Sequence, residues 1–116
     1  MKFKSENSVY YIEDDILTIA FADSKKPDPN RYLILQREVD NSEIYYYEVN
    51  SQMYSNDGGI EKVQINDNSL IVLFNSNQKI YKDGIKILEI DFDFNNELKE
   101  KIIKLFSDSD TVLEVL

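Results

Sequence analysis

The chain has 116 residues, which suits one domain built around one hydrophobic core. Its 22 acidic and 13 basic side chains give a net charge of −9, a balance that repels nucleic acid and favours basic protein partners, although it also serves solubility alone. The sequence contains no cysteine and no histidine, which excludes disulfides, zinc–thiolate sites, thiol nucleophiles and serine–histidine triads.

The first half of the sequence has the patterns of β-strands. Apolar and β-branched runs predict strands at residues 9–12, 16–21, 31–38 and 44–49. Because side chains alternate between the faces of a strand, Tyr45, Tyr47 and Val49 are expected to pack inward. The same alternation places Tyr46 and Glu48 on the outer face, with Tyr46 exposed.

The second half continues with strands and contains one helix. Strands are predicted at residues 60–65, 69–75, 79–82, 85–94 and 111–116. The 69–75 strand is apolar on both faces, which predicts a position in the centre of a sheet. The side chains of the 85–94 strand that are expected to point inward are Leu88, Ile90, Phe92 and Phe94.

Helical periodicity is confined to residues 98–106. Their apolar side chains are spaced i, i+4, i+7 and i+8, and Asn95 or Asn96 can cap the start of the helix. We therefore predict a single α+β domain over residues 1–116. It is expected to be a mostly antiparallel β-sheet with one C-terminal α-helix packed on a face.

No targeting or membrane segment is predicted. Residues 1–7 lack the apolar region of a signal peptide. The longest apolar run, residues 70–74, is far too short to span a bilayer. With the absence of cysteine, these features predict a cytoplasmic protein with neither a membrane nor a nucleic acid as its partner.

The most distinctive segment is an acidic run at residues 38–61, which holds six carboxylates and no basic side chain. It is rich in tyrosine, which anchors many protein interfaces but is also an ordinary strand residue. Gly58 and Gly59 close the run and are expected to supply positive φ angles. The residues of the run that are predicted to contact a partner are Glu38, Asp40, Tyr46, Glu48, Tyr54 and Asp57.

A second group of acids lies on the 85–94 strand. Glu89, Asp91 and Asp93 follow one another about 6.7 Å apart, and such a row can imitate phosphates towards a basic partner. The simpler interpretation, which we favour, is a solvated outer face. The three residues remain candidates for partner contact.

Patterns for catalysis and metal binding are weak. Residues 91–95 begin like a calcium loop, but Asn96 stands where that loop needs glycine and Ile102 where it needs glutamate. Carboxylate pairs such as Asp14 and Asp15 are better explained as turns than as acid–base groups. The sequence therefore predicts neither an enzyme nor a cofactor or metal site.

Arg37 ends an apolar strand and is interpreted as a structural residue. An unpaired buried charge is costly, so its guanidinium is expected to pair with an acid inside the sheet or at its rim.

Two segments carry a resemblance to a known family. Residues 32–37 (Tyr-Leu-Ile-Leu-Gln-Arg) and 52–60 (Gln-Met-Tyr-Ser-Asn-Asp-Gly-Gly-Ile) resemble the immunity protein 10 family of bacterial polymorphic toxin systems. The strand end at residues 20–23 is also similar, and the resemblance in length and element order spans residues 9–106.

The resemblance implies a small cytoplasmic antidote that binds a cognate toxin domain and blocks it. If the toxin is a nuclease, its basic groove would attract the acidic strands of this chain. An alternative from the residues alone is an acidic, non-catalytic regulatory or scaffold domain that binds another basic protein.

Overall fold

The structure is a computed structural model that describes residues 1–40 and 44–116. The described residues form ten strands and two helices, and the α+β class is confirmed. The strands are β1 (Lys2–Lys4), β2 (Asn7–Glu13), β3 (Ile16–Ala22), β4 (Tyr32–Glu38), β5 (Tyr45–Val49), β6 (Ser51–Asp57), β7 (Ile60–Ile65), β8 (Ser69–Phe74), β9 (Ile87–Asp91) and β10 (Val112–Val115). The helices are α1 (Lys79–Lys82) and α2 (Asn96–Phe106).

The strands are divided between two five-stranded sheets. The front sheet has the order β2-β3-β4-β5-β6 and is antiparallel throughout. The back sheet has the order β1-β9-β8-β7-β10, in which β1 and β10 pair in parallel with β9 and β7. The predicted, mostly antiparallel pairing is confirmed, but it is spread over two sheets instead of one. Alternation in the sequence fixes the faces of a strand, not its neighbours.

The hydrophobic core lies between the inner faces of the two sheets. Tyr47 of the front sheet packs against Phe74 of the back sheet, with ring centroids 5.3 Å apart. Phe21 meets Phe92 in the same way at 5.6 Å. The inward orientation predicted for Tyr45, Tyr47 and Val49 is confirmed, since all three residues are buried. The central position predicted for the 69–75 strand is confirmed by β8, the third of five strands.

The helix predicted from the periodicity is α2. It begins after Asn95, whose side-chain oxygen accepts a hydrogen bond from the backbone N–H of Leu98 at 3.0 Å. Its apolar stripe is buried, and Phe106 packs edge-on against Tyr45 at 5.1 Å. Because Tyr45 points inward, α2 packs on the core side of the front sheet.

Residues 79–82 form the short helix α1, so the strand predicted there is wrong. Only Ile80 of this turn is buried. Lys79 and Asp83, four residues apart, form an ion pair at 3.0 Å that a helix brings together and a strand does not. A four-residue segment with one buried side chain is too short for its periodicity to distinguish the two structures.

The expectation that Phe94 packs inward is also wrong, because the residue is 59% exposed. The strand ends at Asp91, and the chain then turns towards the cap of α2. The apolar alternation in the sequence continues past the end of the strand, where it no longer predicts the orientation of Phe94. Two strands, β1 and β6, have no counterpart among the predicted elements. Both are edge strands. Strand β1 has only three residues and β6 has no buried side chain, so neither shows the apolar alternation that predicts a strand.

The two glycines before β7 have the positive φ angles that the sequence predicts, +75° at Gly58 and +97° at Gly59. Gly59 also lies against the side chain of Gln78, which leaves no room for a Cβ atom. Asp14 and Asp15 form the two-residue loop between β2 and β3, and both have positive φ.

Candidate partner-binding surface

The outward-facing side of the front sheet, called here the front face, is built by residues in register across the strands. Its middle row crosses all five strands as Tyr11, Thr18, Gln36, Tyr46 and Asp57. The row on one side is Val9, Ala20, Ile34, Glu48 and Ser55. A third row contains Glu13, Ile16 and Glu38. A fourth row contains Asn7, Ala22 and Tyr32.

Four carboxylates lie on the front face, and none of the residues in its four rows is lysine or arginine. Four of the predicted contact residues are brought together here: Glu38, Tyr46, Glu48 and Asp57. Asp40 lies just beyond the end of β4 and is exposed near the same rim. The front face therefore carries four carboxylates, which tyrosines, aliphatic side chains and uncharged polar side chains separate from one another.

Glu48 is held in position by two tyrosines. The hydroxyl of Tyr32 donates to Oε2 of Glu48 at 2.6 Å, and the hydroxyl of Tyr46 donates to Oε1 at 2.7 Å. Burial, followed by the hydrogen bond to Glu48, raises the pKa of Tyr32 to about 12. The same two causes raise the pKa of Tyr46. Both phenols thus stay protonated and fix the carboxylate.

Tyr46 is partly buried, so the expectation that it is exposed is wrong. Its ring lies on the outer face as predicted, but its hydroxyl bends back to Glu48 two residues later on the same strand. The contribution of Tyr32 is absent from the sequence prediction. Tyr32 reaches Glu48 through the antiparallel register of β4 and β5, which the sequence does not reveal.

Tyr54 belongs to a different part of the surface. Its hydroxyl donates to Oδ2 of Asp83 at 2.9 Å, and the ammonium of Lys79 lies 5.9 Å from its ring centroid. These contacts direct Tyr54 to α1 and not into the Glu48 group. The hydrogen bond to Asp83 is the main reason that the pKa of Tyr54 is raised.

The carboxylates of the predicted row Glu89, Asp91 and Asp93 are matched by lysines. Strand β1 lies beside β9 and brings Lys2 to within 3.0 Å of Glu89 and 3.6 Å of Asp91. Lys4 reaches Asp93 at 3.2 Å. The outer side of the back sheet therefore carries compensated charges, which weakens its imitation of a row of phosphates.

Arg37 ties the front sheet to α2. Its Nη1 atom donates to the carbonyl oxygens of Leu105 at 2.7 Å and Lys104 at 3.4 Å, and to that of Ser107. These carbonyl oxygens lie at the C-terminal end of α2, where a cation is favourable. The contacts fit the structural role expected from the sequence.

A groove of about 650 Å³ lies next to Arg37, between the end of α2 and the end of β4. Its lining mixes cations such as Lys101 and Lys104 with acids such as Glu38 and Asp40. This mixture lacks the uniform sign of the front face.

Within the described ranges 1–40 and 44–116, no group of three or more acidic side chains is arranged to hold a metal ion. In the same part of the chain, no helix combines the length and apolar character needed to cross a membrane.

Tyrosine is enriched at protein–protein interfaces, so an α+β domain with tyrosines on an outer sheet face suits a small protein that binds another protein. Residues 5–100 match the family model described as Immunity protein 10. The match covers most of the chain, which therefore belongs to the Immunity protein 10 family, and the resemblance noted in the sequence is confirmed. Membership implies a toxin-neutralising function in a family that is generally non-catalytic. Comparisons with curated proteins and with solved structures returned no match.

Proposed function

We propose that this protein binds a cognate bacterial toxin domain in the cytoplasm and blocks it, without catalysing a reaction. The observation that carries this proposal is membership of the Immunity protein 10 family over residues 5–100. The composition supports it, because a chain without histidine and cysteine lacks the commonest catalytic side chains.

The charge of the protein favours a nuclease as the toxin. A nuclease needs a basic surface to hold the phosphates of its substrate. A protein with net charge −9 and an acidic sheet face is attracted to such a surface at long range, which accelerates association. If this protein occupied the basic surface of the nuclease, the nucleic acid would be excluded from it.

The proposal is tested by co-expressing the protein with the product of the adjacent upstream gene in a bacterium. We expect the two proteins to be recovered as a complex and the cells to survive expression of the toxin. An unrelated toxin of the same enzymatic class serves as the control and should still kill. The proposal fails if the neighbouring product neither binds this protein nor is neutralised by it.

A separate experiment tests whether the toxin is a nuclease. The purified toxin should degrade DNA or RNA in vitro, and an equimolar amount of this protein should suppress the degradation. A toxin that leaves both nucleic acids intact would exclude the nuclease while leaving the neutralising function standing.

A further inference from the structure

We infer that the front face is the surface that docks on the toxin, and that Glu48 receives an arginine side chain of the toxin between Tyr32 and Tyr46. This inference rests on the proposed function and adds to it the place and the chemistry of the contact.

The two sheets differ in how their charges are compensated. On the back sheet, lysines lie within ion-pair distance of carboxylates, as in the pairs Lys2–Glu89 and Lys62–Glu114 at 3.0 and 2.8 Å. The front face holds four carboxylates and no cation in its four rows. The rows of the front face therefore present four carboxylates that a basic partner can compensate, whereas the carboxylates of these back-sheet pairs are already compensated.

The helices leave the front face open. The contact of α2 with Tyr45 is made on the inner side of β5. The contact of α1 with β6 runs through Tyr54, whose hydroxyl binds Asp83 at the end of α1. In the described part of the chain, these are contacts with the core side and the edge of the front sheet, and they do not cover its outer rows.

The geometry at Glu48 suits a guanidinium. Each carboxylate oxygen accepts one phenolic hydrogen bond, at 2.6 and 2.7 Å, and retains a further lone pair for a second donor. A planar guanidinium supplies two parallel N–H groups to such a carboxylate. The side chain is already fixed by the two tyrosines, so little conformational entropy is lost on binding. The neighbouring rings can also attract a cation through their π-systems.

The front face also has the apolar contacts that an interface needs. Tyr11, Ile16 and Val9 are 48%, 36% and 38% exposed, and all three lie on β2 and β3 beside the acidic groups. Tyrosine is enriched at interfaces and among hot-spot residues, and the neighbouring aliphatic side chains add apolar contact area.

The size of the face approaches that of a standard protein–protein interface. Five strands about 4.8 Å apart and about seven residues long span roughly 24 Å by 24 Å, on the order of 600 Å² in projection. A standard interface buries about 800 Å² on each partner. The front face alone therefore provides roughly three-quarters of that area, and its rim, which includes Asp40, adjoins it.

Charge decides among the possible occupants. A second copy of this chain would place four carboxylates against four more, and nucleic acid or an anionic membrane would be repelled. A basic protein surface is the occupant that the face fits.

The test compares two glutamate-to-glutamine variants on opposite sheets. Glu48→Gln keeps the shape of the side chain and removes its charge, whereas Glu89→Gln does the same on the back sheet. We expect Glu48→Gln to weaken the Kd for the toxin encoded by the adjacent gene at least tenfold and to reduce its salt dependence. Glu89→Gln should stay within twofold of the unmodified protein. Melting temperatures of both variants verify that they are folded.

A loss of less than threefold for Glu48→Gln, or a larger loss for Glu89→Gln, would overturn the inference. Amide chemical shifts of the unmodified protein on addition of the toxin give a second measurement that needs no variant. They should change mainly along β2 to β6, and changes confined to the back sheet would also overturn the assignment. A toxin that binds elsewhere refutes only this inference, whereas a toxin that does not bind at all refutes the proposed function with it.

Discussion

Position 59 needs glycine for two reasons, a positive φ angle and the absence of a Cβ atom, and the substitution Gly59→Ala tests both. An ideal Cβ atom at this position would lie 2.3 Å from Cδ of Gln78 and 2.5 Å from each of its two terminal atoms. Its φ of +97° is strained for any residue that carries a side chain. Gly59→Ala must therefore both strain the backbone and displace Gln78.

Displacing the side chain of Gln78 lowers the stability of the fold, because this side chain accepts a hydrogen bond from the hydroxyl of the buried Tyr47. Its Oε1 atom accepts a hydrogen bond from the hydroxyl of Tyr47 at 2.6 Å, and Tyr47 is 1% exposed. Leaving a buried hydroxyl without its partner costs about 1–3 kcal/mol, and left-handed backbone costs about 1–2 kcal/mol. We expect Gly59→Ala to lower the free energy of unfolding by about 2–5 kcal/mol.

Gly58→Ala is the matched control, because φ is +75° there and nothing lies within 4 Å of the added atom. It should cost only the backbone strain, about 1–2 kcal/mol. Urea denaturation followed by circular dichroism measures both variants. In a Gln78→Ala background the clash disappears, so the cost of Gly59→Ala should fall towards that of Gly58→Ala. Equal costs in the two backgrounds would refute the reasoning.

Three further predictions concern stability. Arg37→Ala should lower the free energy of unfolding by about 2 kcal/mol, because it frees the carbonyl oxygens that end α2. Substitution of the exposed Arg31 should change it by less than about 0.5 kcal/mol, and an equal loss in the two variants would contradict the role of Arg37. Asn95→Ala removes the cap of α2 and should cost about 1 kcal/mol by the same denaturation assay, whereas no loss would show that the cap is dispensable. Burial raises the pKa of Tyr47 from 10.0 to about 12, so the folded state holds this proton more tightly than the unfolded state does. The resulting stability is complete below pH 10 and is lost as the pH rises towards 12. Denaturation between pH 8 and 12 should show this loss, which Tyr47→Phe reduces; an identical profile in that variant would contradict it.

Much of the local structure follows from the sequence. The stripe from Leu98 to Phe106 predicts α2, and the two asparagines before it are the candidate caps, of which the structure uses Asn95. The alternation of Tyr45, Tyr47 and Val49 predicts which side of β5 is buried. These predictions succeed because the period of the apolar residues reports directly which face of one element leaves water.

Errors arise where a pattern is short or runs beyond its element. Residues 79–82 offer a single buried side chain, and Phe94 continues an alternation after its strand has ended. The edge strand β1 is only three residues long, and β6 has no buried side chain, so neither offers an apolar period from which a strand could be predicted.

The sequence by itself determines that this chain is acidic, free of cysteine and histidine, composed mainly of strands, and completed by one capped amphipathic helix. Only the tertiary structure decides which acids are left without a cation. Glu89 and Asp91 meet Lys2 because β1 pairs with β9, a contact between residues far apart in the chain. Glu48 meets Tyr32 through the register of β4 and β5. Composition counts charges, but the pairing of strands places them, and the placement of charge sets the surface that a partner meets.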